Sequence, residues 1–265
     1  MTPRYIDAHC HLQFEQYDED RETIIEQMRE QNVAAIVVGC DFESSKRAVE
    51  LSEKYEHLYA SIGLHPNHET DERFDTAQYR ALAQSPKVVA IGECGLDFFR
   101  PAEVTGEVKE KQKNVFKKQI ELAAELDKPL IIHARPSKGT QDAYQDVIVL
   151  LREAKQTHPT LRGDIHFFVG GVAEAEALQM LGFTVSFTAV ITFARDYDEV
   201  IRALPLASIL SETDAPYVAP LVRRGQRNDP LAVIDVALKI ATVRGEDQET
   251  VRAALCANAG RVFSF

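Results

Sequence analysis

At 265 residues, 45% of them hydrophobic and 27% charged, the chain has ordinary globular composition and the length of one (β/α)₈ barrel, which takes about 250 residues. Its four cysteines (Cys10, Cys40, Cys94 and Cys256) form no Cys-x-x-Cys pair, no apolar run approaches the roughly 18 residues that span a bilayer, and no basic-then-apolar leader is visible, so the expected setting is the cytoplasm, with no membrane and no obligate protein partner. A formal net charge of −11 argues against a general electrostatic grip on nucleic acid, but leaves room for a phosphate-bearing substrate held in one cleft by local arginines and a divalent metal pair.

Short apolar runs alternate with amphipathic stretches from end to end. The sequence predicts a strand over residues 5–9, then a helix over 21–30 with Ile24, Ile25 and Met28 on one face. A strand at 34–39 precedes a helix at 44–55, and a strand at 58–62 precedes a helix at 76–84. Strands at 88–93 and 130–133 are followed by helices at 109–126 and 141–154. Strands at 164–167, 183–187 and 209–212 alternate with helices at 173–181 and 197–204, and helices at 230–243 and 250–257 close the series. Asp229-Pro230 reads as an N-cap with proline in the first helical position. Runs such as Ala35-Ile36-Val37-Val38 and Val88-Val89-Ala90-Ile91 are apolar throughout, as in parallel strands covered on both faces. Eight such strands alternating with helices predict one TIM-type barrel domain over 1–265, with no linker or low-complexity segment to divide it.

Metal-binding and acidic residue types recur at the carboxyl ends of these strands. The first ends in Asp7-Ala8-His9-Cys10-His11, the fourth in Gly92-Glu93-Cys94-Gly95-Leu96-Asp97 and the fifth in His133-Ala134-Arg135. The sixth ends in His166-Phe167, and the eighth in Glu212-Thr213-Asp214-Ala215-Pro216. In a (β/α)₈ barrel these ends share the face that carries active sites. His9 and His11, two apart on extended chain, point to one side, and neutral imidazoles suit zinc or another transition metal. Taken singly, each residue also has a plain structural reading: His133 caps a strand, His166 sits in the core beside Phe167 and Phe168, Glu93 pairs with a cation, Asp214 serves a turn. Their coincidence on one barrel face favours the metal site. His65, in Gly63-Leu64-His65-Pro66, is expected to support that site or contact substrate. His57, His68 and His158 read as surface residues.

The ordered motifs resemble the TatD family of metal-dependent hydrolases, within the amidohydrolase-like barrel superfamily, over nearly the whole chain. They run from Ile6-Asp7-Ala8-His9-Cys10-His11-Leu12 through Gly63-Leu64-His65-Pro66 and Ile91-Gly92-Glu93-Cys94-Gly95-Leu96-Asp97. Lys128-Pro129-Leu130-Ile131-Ile132-His133, Glu212-Thr213-Asp214-Ala215-Pro216-Tyr217 and Asn258-Ala259-Gly260-Arg261-Val262-Phe263 complete the set. The resemblance implies two divalent ions (Zn, Mn or Mg), one held by His9, His11 and Asp214, the other by His133 and His166, with Glu93 bridging. It implies a deoxyribonuclease acting as a 3′→5′ exonuclease or an endonuclease; removal of D-amino acids from mischarged tRNA is a related activity. The chain departs from the pattern at Phe167-Phe168-Val169-Gly170, where a small polar stretch with a hydroxyl is usual, at Pro136 after Arg135, and at Cys94.

Two such ions sharing a carboxylate can generate a metal-activated hydroxide and clamp both attacking and leaving oxygens. Glu93 and Asp214 are then the catalytic carboxylates, Asp214 also accepting the proton. Arg135 and Lys138 after the fifth strand, and Arg223, Arg227 and Asn228 after the eighth, are candidate contacts for a DNA backbone, with a solvated basic loop as the plainer reading. Tyr217 or Phe98 could stack on a base. The competing function is an ester- or amide-type hydrolase, such as a D-aminoacyl-tRNA deacylase.

Overall fold

The computed structural model describes residues 3–67, 73–101 and 103–265; His68 lies outside the described residues. Eight strands follow one another around a single sheet: β1 (Tyr5–Cys10), β2 (Val33–Val38), β3 (Leu58–Ile62), β4 (Val88–Asp97), β5 (Leu130–Arg135), β6 (Gly163–His166), β7 (Phe183–Phe187) and β8 (Ile209–Ser211). Each pairs in parallel with the next. Beyond β8 the chain returns to β1: the Asp214 amide donates to the His9 carbonyl at 2.9 Å, and the His11 amide to the Ala215 carbonyl at 2.7 Å. The sheet thus curls into a nearly closed barrel. Helices α1 (Arg21–Glu30), α2 (Phe42–Lys54), α3 (Thr76–Leu82), α4 (Gly106–Glu125), α5 (Asp142–Thr157), α6 (Val172–Met180), α7 (Asp198–Ala203), α8 (Val233–Arg244) and α9 (Gln248–Phe263) fill the connections. The architecture is the (β/α)₈ TIM-type barrel that the alternation predicts. Among the described residues, no helix is long and apolar enough to cross a membrane. All four cysteines are free.

Strand β2 shows how composition becomes layering. All six residues of Val-Ala-Ala-Ile-Val-Val are buried. Val33, Ala35 and Val37 join the apolar layer shared with Ile24 and Met28 of α1 and Ala48 of α2. Ala34, Ile36 and Val38 join a second cluster with Ile6, Ala8, Ile131 and Leu210, which Ala259, Val262 and Phe263 of α9 complete. Period-2 alternation therefore splits one continuous apolar run between two cores.

Helix α9 outruns the expected 250–257. Asn258 lies one residue past the expected end. In the structure its amide donates to the carbonyls of Leu206 at 2.8 Å and Ile209 at 3.0 Å, satisfying the backbone that leads into β8 while the helix continues. Asp229 caps a short 3₁₀ turn, Pro230–Ala232, which feeds α8; the proline stands at the start, as expected. His57 and His158 are half-buried, both at the end of the barrel where strands begin, and His158 pairs with Glu121 at 3.2 Å.

Two register shifts set up the mouth of the barrel. Asp7 pairs with Ala35 and Cys10 with Val37, so β1 carries one residue more than β2 around His9. Ile91 pairs with Leu130 and Cys94 with Ile132, so β4 carries an extra residue at Gly92-Glu93. Such bulges re-aim side chains next to sites of chemistry. Gly92 adopts φ 153°, and a Cβ there would stand 2.3 Å from the Ile131 carbonyl oxygen, so only glycine permits this approach.

Candidate metal centre

A cavity of about 890 Å³ opens at the carboxyl ends of the strands, lined by His11, His65, Glu93, His133, His166 and Asp214 among others. All six are buried, as is His9 beneath them. Glu93 lies at the centre. Its Oε2 is 3.6 Å from His9 Nε2 and 3.9 Å from His11 Nε2. Its Oε1 is 3.0 Å from His133 Nδ1, 3.4 Å from His65 Nε2 and 3.6 Å from His166 Nε2. Asp214 Oδ1 stands 3.4 Å from His11 Nε2 and 3.9 Å from His9 Nε2.

The backbone and buried carboxylates fix the tautomers. His11 Nδ1 is 2.8 Å from the Val38 carbonyl oxygen, which can only accept, so that nitrogen carries a hydrogen and the ring turns Nε2 towards Asp214; burial opposes the charged ring, but Cys40 and Asp214 hold its proton affinity well above the usual imidazole range. Glu212 Oε2 is 2.9 Å from His166 Nδ1, and Asp97 Oδ2 is 3.2 Å from His133 Nε2. Those contacts leave His166 Nε2 and His133 Nδ1 facing Glu93. The Nε2 atoms of His9 and His11 lie 3.2 Å apart with two carboxylate oxygens nearby. Ring nitrogens and carboxylate oxygens this close need a proton or a cation among them. A tetrahedral ion with bonds of about 2.0–2.1 Å separates its ligands by about 3.3–3.4 Å, and the observed spacings of 3.0–3.9 Å bracket that value.

Groups able to hold a metal, with their ligand atoms within 4.8 Å of one another, are His9–His11–Glu93, Glu93–His133–His166, His9–His166–Asp214 and His65–Asp97–His133. His9 and His166 share one of these groups, and their rings stack at 3.6 Å.

Proton affinities follow the same charges. Burial would raise the Glu93 carboxyl, but the imidazoles of His65, His166, His133 and His9 together hold it well below the usual range. Burial alone would lower His166; the Glu212 and Glu93 carboxylates outweigh it and push the ring up to about 9. Burial dominates at His65, which falls to about 3 despite the pull of Glu93. Burial pushes Asp214 up, but the hydrogen bond with His11 and the charges of His166 and His9 leave it lowered.

The structure gathers His9, His11, His65, Glu93, His133, His166 and Asp214, with Arg135 on the cavity wall. The contacts expected after β8 are not brought there. Arg223 pairs with Asp229 at 2.5 Å, and Arg227 binds Asp20 and the Gln16 carbonyl, so both guanidinium groups are spent on loop structure. Asn228 is fully buried, and its amide donates at 3.3 Å to the carbonyls of Thr213 and Val218. Asn228→Ala removes the donor shared by these carbonyls, so unfolding in urea should show a loss of about 1–3 kcal/mol. Phe98 cannot stack on a base because it is 1% exposed beneath Lys109; its neighbour Phe99 is 50% exposed. Tyr217 is exposed and lines the cavity, as expected. Asp97 and Glu212, which orient two of the imidazoles, were not singled out by the sequence; their signal was position at the same strand ends.

The family described as TatD related DNase matches residues 6–264 of the chain. The chain is similar to an uncharacterized metal-dependent hydrolase, YabD, of Bacillus subtilis: 38% identical, covering 97% of this chain and 98% of that protein. It is 31% identical to the 3′-5′ ssDNA/RNA exonuclease TatD of Erwinia amylovora, over 97% of this chain and 98% of that one. The crystal structure of YjjV, a TatD homologue from Escherichia coli, superposes with a TM-score of 0.88 at 30% identity over the full length of both chains.

Proposed function

This chain belongs to the TatD-related DNase family of metal-dependent hydrolases, and from that premise we propose that it cleaves phosphodiester bonds of DNA at a site for two divalent ions. The observation that carries this reading is the division of Glu93: Oε2 faces His9 and His11, while Oε1 faces His133 and His166. A carboxylate serving two clusters is the natural bridge between two cations, and the imidazole nitrogens around it, once a bound ion displaces their protons, would suit Zn²⁺ or Mn²⁺. His9, His11, Glu93 and Asp214 would hold one ion; Glu93, His133 and His166 the other. When bound, such ions acidify a water and offset charge building on phosphoryl oxygens.

The protein's own groups supply the rest. Asp214, kept ionised beside His11, can accept a proton at a free oxygen. Asp97 and Glu212 hold His133 and His166 in the ligating tautomer. His65, which burial keeps neutral and which is directed at Glu93 Oε1, is suited to hydrogen-bond a substrate oxygen. Arg135 is suited to a phosphate.

Elemental analysis of the purified protein, with turnover of single-stranded DNA measured beside an ester and a D-aminoacyl-tRNA under added Zn²⁺, Mn²⁺ or Mg²⁺, tests the reading. Two equivalents of metal and fastest turnover of DNA are expected; a carbonyl substrate turned over faster would replace the phosphodiesterase with the acyl hydrolase. Metal should also stabilise the fold. Returning Zn²⁺ or Mn²⁺ to chelated protein at about 100-fold over Kd contributes about 2.7 kcal/mol, a rise of about 5–10 °C in Tm for a chain of this size. No calorimetric shift on adding metal would count against the site.

A further inference from the structure

Most arginines near the barrel mouth are already paired: Arg223 with Asp229, Arg227 with Asp20, and Arg195 with Asp198 at 2.6 Å. Arg100 and Arg135 differ. Both line the cavity. Asp97 Oδ1 accepts the amides of Phe99 and Arg100 at 2.9 Å each, a turn that folds the chain back and delivers Arg100 to the wall. Arg100 Nε forms an ion pair with Asp97 Oδ2 at 3.7 Å, beyond hydrogen-bond length, and its guanidinium donates no hydrogen bond to an acceptor among the described residues. Arg135, at the end of β5, places its guanidinium carbon 4.2 Å from the centroid of the exposed Phe99 ring. No carboxylate lies within 4 Å of it among the described residues. A guanidinium held over a ring face by cation–π attraction can still offer its N–H groups to an anion. The subsite these two make is one carboxylate away from the metal clusters, because Asp97 Oδ2 also holds His133.

We propose that Arg100 and Arg135 form a second anion subsite that takes a non-scissile phosphate of a polynucleotide, so that the enzyme is tuned to chains rather than isolated phosphodiesters. The inference rests on the phosphodiesterase reading above. A base-stacking wall stands across the barrel, where Phe14 stacks on His11 at 4.6 Å and Tyr217 is exposed. With strand ends β8 and β1 on that side and β4 and β5 on the other, a nucleotide chain would cross the metal clusters with a base at one wall and its next phosphate at the opposite one.

The test uses the full chain loaded with metal and three substrates: the dinucleotide TpT, which has no second phosphate, an unphosphorylated oligothymidylate, and the same oligothymidylate carrying a terminal phosphate. The wild type should favour the longer substrates in kcat/KM. The double variant R100Q/R135Q should lose about tenfold or more of that advantage, mostly through KM, with a smaller loss on TpT. An advantage limited to the terminally phosphorylated oligomer supports the subsite and assigns it to a terminal phosphate; an advantage without it assigns an internal one. In chelated protein, binding of fluorescent oligothymidylate should show a log K against log salt slope lower by about 0.7 in the variant, for the one phosphate that the arginine pair no longer neutralises. Equal losses on TpT and oligomer, with the slope unchanged, would mean that the arginines act only through Asp97, and would overturn the proposal. Wild type that cuts TpT as well as the oligomers removes the subsite but leaves the phosphodiesterase; wild type that cuts none of the three removes both.

Discussion

Glu93→Gln is expected to strip both metal clusters at once and to reduce hydrolysis by more than about a thousandfold, since metal charge stabilisation is worth several kcal/mol and each 1.4 kcal/mol is tenfold. The substitution keeps the side-chain shape, so packing should survive. What changes is the charge and one of the two oxygens. In the native protein one carboxylate lies within 4 Å of five imidazoles: His9, His11, His65, His133 and His166. An amide brings at most one ligating oxygen and no charge, and its NH₂ group cannot ligate an ion. Elemental analysis of E93Q should find less than one equivalent of metal under conditions that load the wild type with two. Retention of two equivalents would show that Glu93 is a neighbour of the ions and not their bridge.

The parts of this protein that could be read from its sequence are those where one residue type has one common use. His9, His11, His133 and His166 stand at the carboxyl ends of apolar runs, and strand-end position in a barrel maps directly to one face. Their convergence therefore followed from pattern alone. Asp97 and Glu212 were harder, because their work depends on which imidazole nitrogen each one meets, and register across β4, β5, β6 and the end of β8 decides that. Phe98 and Phe99 show the cost of a short error: β4 runs to Asp97 rather than stopping at Glu93, and adjacent residues beyond it face opposite ways, one into the core and one to solvent. Asn228, Arg223 and Arg227 looked like a basic surface for DNA, yet three-dimensional pairing with Asp229 and Asp20 and with backbone carbonyls consumes them. Asn258, past the expected end of the last helix, is a helix-interior residue whose amide serves another segment.

His133→Ala should separate the two clusters where Glu93→Gln removes both. His133 contributes Nδ1 opposite Glu93 Oε1 and has no counterpart among the groups around His9 and His11. Its loss should leave His9, His11, Glu93 and Asp214 intact, so the variant should keep about one equivalent of metal while DNA hydrolysis falls by about a thousandfold, if two ions act together. Asp97→Asn gives the graded control. It leaves every ligand in place but weakens the contact that fixes the His133 tautomer, for which a loss of about 10–100-fold in metal affinity is expected. Because Asp97 also holds the turn at Phe99 and Arg100, the metal dependence of D97N should separate the two effects: excess metal restores what was lost through His133 and not what was lost through the arginine. The order of activities should then be wild type, D97N with excess metal, D97N, H133A. A His133→Ala protein that holds two ions, or one that hydrolyses DNA at the native rate with a single ion, would remove the second cluster from the chemistry and leave a one-metal hydrolase built on His9, His11 and Asp214.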